Sequence, residues 1–183
     1  MLQLKQLQYL NLASNQVVII APLASVPALQ YIELSHNRVK DVKPLSGLTN
    51  LASIYLSANR LGSVALLTNL PRVATLYIDH NKIRSIEGFG AFRNLTLLSA
   101  AHNGISDLAP LSGIRAPSFL QLSHNRIRDL APLSRWMTPD LEKTRNFAPF
   151  VRVYLDGNPL SKQSKAQLEQ LKAKGARINP PAR

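Results

Sequence analysis

An asparagine recurs at a fixed step of 22 residues along most of this chain, and no other feature constrains the fold as strongly. Six asparagines keep the step, and a seventh follows after 33 residues, one step plus an 11-residue insertion: Asn15, Asn37, Asn59, Asn81, Asn103, Asn125 and Asn158. Apolar residues recur eight, five and three places before each asparagine, and two places after it. This self-similarity predicts a stack of equivalent units that share one continuous core.

Each repeat contains a short segment with apolar residues at alternating positions, such as Leu29, Ile32 and Leu34; the last copy is Phe150, Val153 and Leu155. A strand of this kind needs backbone partners and a cover for its apolar side, and a parallel stack with strands about 4.8 Å apart supplies both. The asparagine amide is expected where the chain leaves the strand, because it can both donate to and accept from backbone groups that the bend leaves unpaired. Prolines before core leucines predict return segments that are extended or short helical turns: Pro22, Pro44, Pro110 and Pro132.

These repeats resemble the leucine-rich repeat family. The 22-residue length and the segment 41–51, DVKPLSGLTNL, are similar to bacterial internalin-type repeats, and also to the repeats of the phosphatase-one regulatory subunit. The resemblance covers about residues 4–160 and implies an α/β fold: a right-handed, curved solenoid with a parallel sheet on its concave face, short helical or extended convex segments and a C-terminal capping helix. It also implies protein binding. Pro117 departs from the pattern, because it cannot donate to a strand ladder.

We predict a solenoid of about seven repeats over residues 1–160, with the insertion within 137–149, then a C-terminal cap over 161–178 and a tail over 179–183. Ser161 is expected to cap a helix that runs to about Lys174, with Gly175 ending it. Thr138 and Pro139 are expected at the cap and first position of a helical turn in the insertion. We interpret the insertion as a tolerated surface excursion, with contact to a partner as the alternative.

The sequence opens in the middle of a repeat, because Leu4 takes the place of Val26 and Met1 that of Leu23. The apolar end around Leu7 is therefore expected to need a cap from upstream residues of a longer chain or from another chain. No basic segment followed by an apolar stretch and a cleavage site precedes the repeats. A cytoplasmic location is favoured, and the bacterial surface is the alternative if the chain is a fragment.

Once the register is fixed, all five tyrosines fall on solvent-facing strand positions. The first column reads Tyr9, Tyr31, Ser53, Thr75, Leu97, Phe119 and Arg152; the second reads Asn11, Glu33, Tyr55, Tyr77, Ser99, Gln121 and Tyr154. Large exposed aromatic side chains are typical of protein-recognition surfaces, although tyrosine also suits a strand surface for its own sake. We predict that a protein binds this face through the following residues: Tyr9, Tyr31, Glu33, Tyr55, Tyr77, Asp79, Phe119, Gln121, Arg152 and Tyr154.

All four histidines share the column directly before the repeating asparagine: His36, His80, His102 and His124. Three come from successive turns, so His80, His102 and His124 offer an alternative interpretation as a metal site with Asp79 nearby. A straight row is a poor tetrahedral arrangement, and the histidine is also part of the repeat phrase. We predict no metal and no cofactor, and expect sensitivity to pH near about 6 instead.

A basic edge follows the asparagines, and it consists of Arg38, Lys40, Arg60, Lys82, Arg84, Arg126 and Arg128. With 22 basic and 10 acidic residues the net charge is +12, which points to an acidic protein partner or to a polyanion such as nucleic acid or an anionic surface. We favour the acidic protein first and a purely solubilising role second, and we place nucleic acid last because no aromatic residues interleave the cations. Nearby Asp41, Asp107 and Asp129 are expected to offset part of this charge.

Several function classes are excluded or unsupported. The absence of cysteine excludes disulfides, thiolate metal sites and a cysteine nucleophile. The longest apolar run, residues 17–21, is too short to cross a bilayer. Ser123 and His124 are adjacent in a predicted strand, so their side chains point apart and form no catalytic pair. We therefore predict a non-enzymatic interaction module, with a spacer segment of a larger receptor or signalling protein as a further alternative.

Overall fold

The computed structural model describes residues 4–179. Eight short strands form one parallel sheet in chain order: β1 (Tyr9–Asn11), β2 (Tyr31–Glu33), β3 (Ser53–Tyr55), β4 (Thr75–Tyr77), β5 (Leu97–Ser99), β6 (Phe119–Gln121), β7 (Arg152–Tyr154) and β8 (Arg177–Ile178). Each strand pairs with its chain neighbours, so the sheet is open and grows by one strand per turn. The predicted solenoid with a parallel sheet on its concave face is confirmed.

The predicted strand register is also confirmed. Tyr9 lies opposite Tyr31, which lies opposite Ser53, and the second column runs in the same way through Glu33 and Tyr55. Because pairing maps each residue onto the one 22 positions later, the side chains of one column lie beside one another on the same side of the sheet.

The return segments on the convex side are mostly single 3-10 turns, as the prolines predict. They span Ala21–Ser25, Lys43–Leu45, Ala65–Leu67, Phe89–Ala91 and Ala109–Gly113. The sixth return differs, since Pro132 stands in the first turn of a nine-residue helix, α1 (Ala131–Pro139). Proline is tolerated in the first turn of a helix of either kind, so it marks where the segment begins and not how long it runs.

The repeating apolar residues form one continuous core, but the prediction for Phe150 is wrong. Its side chain is 59% exposed, and the adjacent Val151, at 1%, takes the core position. The insertion enters β7 through a turn in which the N–H groups of Phe150 and Val151 both donate to the carbonyl of Phe147, and this turn shifts the phase by one residue. Pro117 is buried, and its missing N–H costs no strand hydrogen bond. The ladder begins one residue later, where the N–H of Ser118 donates to the carbonyl of Thr96.

The prediction for Thr138 and Pro139 is wrong as well, because Pro139 ends α1, which continues into a π-helical turn over Asp140–Thr144. The buried Asp140 carboxylate accepts hydrogen bonds from the Thr144 hydroxyl and from the N–H groups of Asn146, Phe147 and Ala148. Burial alone would raise the pKa of Asp140, but these hydrogen bonds outweigh it and lower the pKa to about 2.

The insertion therefore extends the core, which the interpretation as a surface excursion did not anticipate. Leu141, Phe147 and Ala148 are buried, and the indole of Trp136 stacks on Phe147 with 4.7 Å between ring centroids. The exposed part is residues 142–146.

The predicted C-terminal helix is present as α2 (Lys162–Ala173), where the Ser161 hydroxyl accepts a hydrogen bond from the N–H of Ser164 at 3.1 Å. Gly175 ends the helix with a φ of +96°, a conformation that favours glycine. Strand β8 was not predicted, and Asn179 belongs to the cap and not to the tail: its N–H donates to Val153 and its Oδ1 accepts from the N–H of Leu155. Residues 180–183 of the predicted tail, and Met1, lie outside the described residues.

Candidate protein-binding face

The repeating asparagines hold the turns that carry this face. In a typical turn, Nδ2 of Asn59 donates to the carbonyls of Leu34 at 2.8 Å and Leu56 at 3.1 Å, while its Oδ1 accepts from the N–H of Val39 at 2.9 Å. The predicted dual role of donor and acceptor is thereby confirmed, and the same arrangement recurs at Asn37, Asn81, Asn103, Asn125 and Asn158. Each amide joins adjacent turns, so the side chains on the sheet are held in a fixed array.

Four tyrosines form a continuous row across the first four strands, which we name the tyrosine row: Tyr9, Tyr31, Tyr55 and Tyr77. Successive ring centroids lie 6.0, 5.2 and 4.9 Å apart, and the last pair stacks at 22°. Because the first two belong to the first column and the others to the second, the row runs diagonally over the sheet. Tyr9 is 66% exposed, and the other three are half-buried.

Two phenols of this row, those of Tyr31 and Tyr77, are held in their protonated form. Burial raises the pKa of Tyr31, and the nearby Glu33 and Tyr55 add to the effect. Burial also raises the pKa of Tyr77, with Tyr55 and Asp79 adding to it. The hydroxyl groups therefore remain available as hydrogen-bond donors at neutral and moderately alkaline pH.

A second aromatic group, which we name the Phe119 cluster, lies on the last two repeats and consists of Phe119, Arg152 and Tyr154. The rings of Phe119 and Tyr154 are 5.4 Å apart, and the guanidinium carbon of Arg152 lies 5.5 Å from the Phe119 ring centroid, within the range of a cation–π contact. The structure thus divides the predicted residues into two groups, and Ser99 between them is buried.

Two polar residues of the predicted set are partly engaged within the protein. Oε1 of Glu33 accepts from the N–H of Ser35 at 2.7 Å, and Oε1 of Gln121 accepts from the N–H of Ser123 at 3.1 Å. Both are half-buried. These hydrogen bonds fix the direction of the side chains without removing them from the surface.

Asp79 has a structural role that sequence analysis missed. Its carboxylate accepts from the hydroxyls of Ser57 at 3.1 Å and Ser99 at 2.7 Å, and from the N–H of Ala101 at 2.7 Å. It therefore joins three successive turns. The signal available in the sequence was a serine at the same position of the preceding repeat, 22 residues before the aspartate, and a serine in the next repeat, 20 residues after it.

The three neighbouring histidines form a histidine stack: His80, His102 and His124. Ring centroids are 4.1 and 4.3 Å apart, with interplanar angles of 11° and 13°. The nitrogen atoms of parallel stacked rings point outward in the planes of the rings, in separate parallel planes and not to one point, and among residues 4–179 no group of three His, Cys, Asp or Glu is placed to hold a metal ion. The geometry does not support the interpretation as a metal site.

The stack follows from backbone conformation. All three residues have φ between +52° and +54°, and the stack ends at Gly157, where any Cβ would collide with the His124 ring. Burial lowers the pKa of His102, and the neighbouring His80 and His124 lower it further, against an opposing effect of Asp79. A charged His102 is thus disfavoured.

The position expected for Ser123 and His124 is wrong, because β6 ends at Gln121 and both residues lie in the turn after it. Ser123 is buried, whereas His124 is exposed and stacks on His102. Within the described part of the chain no hydrogen bond joins the two side chains, so the arrangement has no activated nucleophile there. No helix among these residues has the length and apolar character to cross a membrane.

The predicted basic edge runs along one border of the sheet, and its members are exposed. The N–H groups of Arg60, Lys82 and Arg126 donate to carbonyls of the preceding turn at 2.8–2.9 Å, so these cations follow one another turn by turn. The two ion pairs found within residues 4–179 are elsewhere, between Lys172 and Glu169 and between Lys174 and Glu142.

The aspartates that were expected to offset this charge serve the backbone. Oδ1 of Asp41, Asp107 and Asp129 each accepts a hydrogen bond from an N–H two residues later, at 2.8 Å. These bonds hold the start of the return segments, and among the described residues no aspartate forms an ion pair with the basic edge. The edge therefore presents its positive charge to solvent.

Comparison with protein families matches the chain to a model of leucine-rich repeats (2 copies), at residues 5–47 and again at residues 27–69. A search of curated protein sequences finds no significant match.

Several solved structures are similar. An internalin from Listeria monocytogenes has a TM-score of 0.82 and 24% identity, covering 100% of this chain and 50% of its own. Internalin C2 from the same organism has a TM-score of 0.77 and 28% identity, covering 94% of this chain and 69% of its own. The plant peptide hormone receptor RGFR1, in complex with RGF2, has a TM-score of 0.69 and 24% identity over 87% of this chain and 30% of its own. The chain thus spans half the length of the first internalin.

Four observations agree with one another: the 22-residue register, the asparagine amides that join adjacent turns, the match to repeat models and the similarity to both internalins. Residues 5–69 match leucine-rich repeat models, and the fold of the described chain is a leucine-rich repeat solenoid similar to those of the two internalins.

Proposed function

We propose that this chain binds a protein on its concave sheet, through the tyrosine row and the Phe119 cluster. The observation that carries the proposal is the continuous tyrosine row, since none of the five tyrosines is used in the core. Leucine-rich repeat proteins are typically non-enzymatic interaction modules, and the similar plant receptor was solved in complex with RGF2. The same fold occurs in proteins of many functions, so the proposal rests on the residues of the concave face.

The physical basis is a large amphipathic area that is already ordered. Each aromatic side chain can bury about 150–250 Å². Mutual stacking restricts the rings before binding, which reduces the entropy lost when a partner immobilises them. The phenol hydroxyl groups offer directional hydrogen bonds at the same time.

The partner we propose is acidic on the side that meets the basic edge. Exposed positive charge along one border would speed the approach of a negatively charged protein and orient it across the sheet. Arg152, Glu33 and Gln121 would supply polar contacts, whereas Asp79 is already engaged by three hydrogen bonds.

Two alternatives make different predictions. Polyanion binding through the basic edge predicts loss of binding on Arg38→Glu with Arg126→Glu, and a steep dependence on salt. A spacer role in a larger receptor or signalling protein predicts no binding by this segment alone. The share of the first internalin that the chain spans is compatible with the spacer. The proposed need for a cap at the N-terminal end applies equally to protein binding, polyanion binding and the spacer role.

The test is affinity capture from an extract of the source organism, followed by titration of the captured protein. Tyr55→Ala with Tyr77→Ala should weaken binding at least about 30-fold, the effect of losing about 2 kcal/mol at a hot spot. Leu66→Ala is the matched control, because it removes an exposed apolar side chain from a convex turn. Unchanged affinity in the tyrosine double variant would contradict the proposal.

A further inference from the structure

Between the turns of Asn37 and Asn125, the column of cations directly after the asparagines has one gap, at Gly104. The position directly after the asparagine holds a cation in four other turns: Arg38, Arg60, Lys82 and Arg126. The N–H of Gly104 donates to Ile83 at 2.7 Å, so its backbone continues the same stack. Its φ is not positive, unlike those of Gly88, Gly157 and Gly175. The backbone therefore does not require glycine here, and what distinguishes this turn is the missing side chain.

The gap forms a cleft with a positive lining. A Cβ on Gly104 would lie 3.1 Å from Cγ of Arg84, so the Arg84 side chain lies over the glycine. The cleft has a volume of about 230 Å³ and is lined by Asn81, Lys82, Arg84, Asn103, Gly104 and Arg126. Three of these side chains are cations, and none is a carboxylate.

We propose that this cleft binds one phosphate or sulfate group, a tetrahedral oxyanion with two negative charges. Lys82 and Arg126 lie one turn on either side of Gly104, about 4.8 Å away along the sheet in each direction, and Arg84 approaches from above. Guanidinium groups bind such oxyanions through paired hydrogen bonds. The volume is smaller than the about 300–1,000 Å³ of pockets for drug-sized ligands, so it suits a single group. A dianion would also relieve repulsion among three neighbouring cations.

Two carboxylates lie near Arg84 outside the cleft. Arg84 also borders a second hollow of about 410 Å³ that is lined by Glu87 and Asp107. The Asp107 carboxylate also accepts the N–H of Ala109 at 2.8 Å, whereas Glu87 is the carboxylate that can be changed without loss of that hydrogen bond. Glu87→Gln should therefore tighten binding of the oxyanion, by about twofold for one exposed charge.

The experiment is an NMR titration of the whole chain with inorganic phosphate at pH 7.5, with ionic strength held constant by chloride. Saturable shifts are expected at the amides of residues 82–84, 103–104 and 126, and sulfate should produce the same pattern. Titration with O-phosphoserine distinguishes the source: tighter binding than phosphate indicates an ester group on a larger ligand, and equal or weaker binding indicates the free ion.

Gly104→Glu should weaken phosphate binding at least about tenfold, because it places a carboxylate among the three cations. Gly62→Glu is the matched control: it makes the same change of charge on the same edge, at a site with no atom within 4 Å of a Cβ. If Gly104→Glu does not fold, Arg84→Gln against Arg38→Gln makes the same comparison. Equal weakening by both members of a pair, or shifts that spread along the whole edge without saturation, would overturn the proposal and indicate general screening. This site is independent of the tyrosine row, so either proposal can fail alone.

Discussion

At the C-terminal end of the solenoid, β7 pairs with β8 and the core is covered by α2, whose Leu171 is 1% exposed. At the N-terminal end of the described residues, β1 has a neighbour on one side, and the core residues Leu7 and Leu12 are only partly buried. Both ends are built from the same repeat. The difference shows that a repeat does not bury its own apolar residues: a neighbouring turn or a cap must cover them.

Equivalent positions make this comparison quantitative. Leu10 and Leu120 occupy the same place in their repeats, five residues before the asparagine. Leu120 is 1% exposed between two neighbouring turns, whereas Leu10 in β1 is half-buried. The same contrast holds for Asn125, which is buried, and Asn15, which is exposed.

The largest expected change in the free energy of unfolding distinguishes Leu120 from Leu10. Leu120→Ala should lower the free energy of unfolding by about 2–5 kcal/mol, because it leaves a cavity between packed turns. Leu10→Ala should cost less than half as much, since its surroundings are partly solvent and the end turn can open locally. Urea unfolding followed by circular dichroism measures both, and equal losses would show that β1 is covered in solution.

The asparagine amides should show the same contrast between the two ends. Asn125→Ala should cost about 1–3 kcal/mol for each buried group left unpaired, because Nδ2 of Asn125 donates to Ala100 and Leu122 and its Oδ1 accepts from Ile105. Asn15→Ala should change stability by under about 0.5 kcal/mol, as expected for an exposed surface site. Thermal melting of the two variants checks the order, and a reversed order would remove the contrast between the ends.

The smallest expected change in stability concerns Asp140 in the insertion, and it depends on pH. The pKa of Asp140 is lowered to about 2 in the folded protein, from an ordinary value of 3.8. The unfolded chain therefore binds more protons between these values, so the stabilisation is complete above about pH 4 and is lost as the pH falls through about 2.

Asp140→Asn should flatten this dependence and cost about 1–2 kcal/mol at pH 7, since an amide cannot accept all of the hydrogen bonds that the carboxylate does. Asp41→Asn is the control, because the Asp41 side chain accepts one N–H, that of Lys43. Urea unfolding at pH 5 and pH 2.5 provides the measurement. A steep acid dependence that persists in Asp140→Asn would assign it to other carboxylates.

Much of the fold could be predicted because the period relates every turn to the next. Parallel pairing in register places residues 22 apart side by side, so the inward and outward columns follow from the asparagine spacing alone. The helix α2 followed from a capping serine, Ser161, and a terminal glycine, Gly175. These are local or periodic signals, and they do not depend on how the chain packs elsewhere.

The candidate site was predicted less completely. Both columns were placed correctly, but the division into the tyrosine row and the Phe119 cluster depends on side-chain rotations that bring Tyr31 of one column onto Tyr55 of the next. The histidine stack depends on left-handed backbone at three successive turns. Asp79 became structural because serines of two other turns reach its carboxylate.

The sequence by itself determined the repeat, the direction of each strand residue and the position of the C-terminal helix, since each is encoded within one turn or by one fixed step. Tertiary structure alone decided what happens where the step is interrupted. There Val151 replaces Phe150 in the core and Asp140 organises the insertion. The physical reason is that an insertion has no equivalent in the neighbouring turns, so its burial and hydrogen bonds depend on the particular surfaces that meet there.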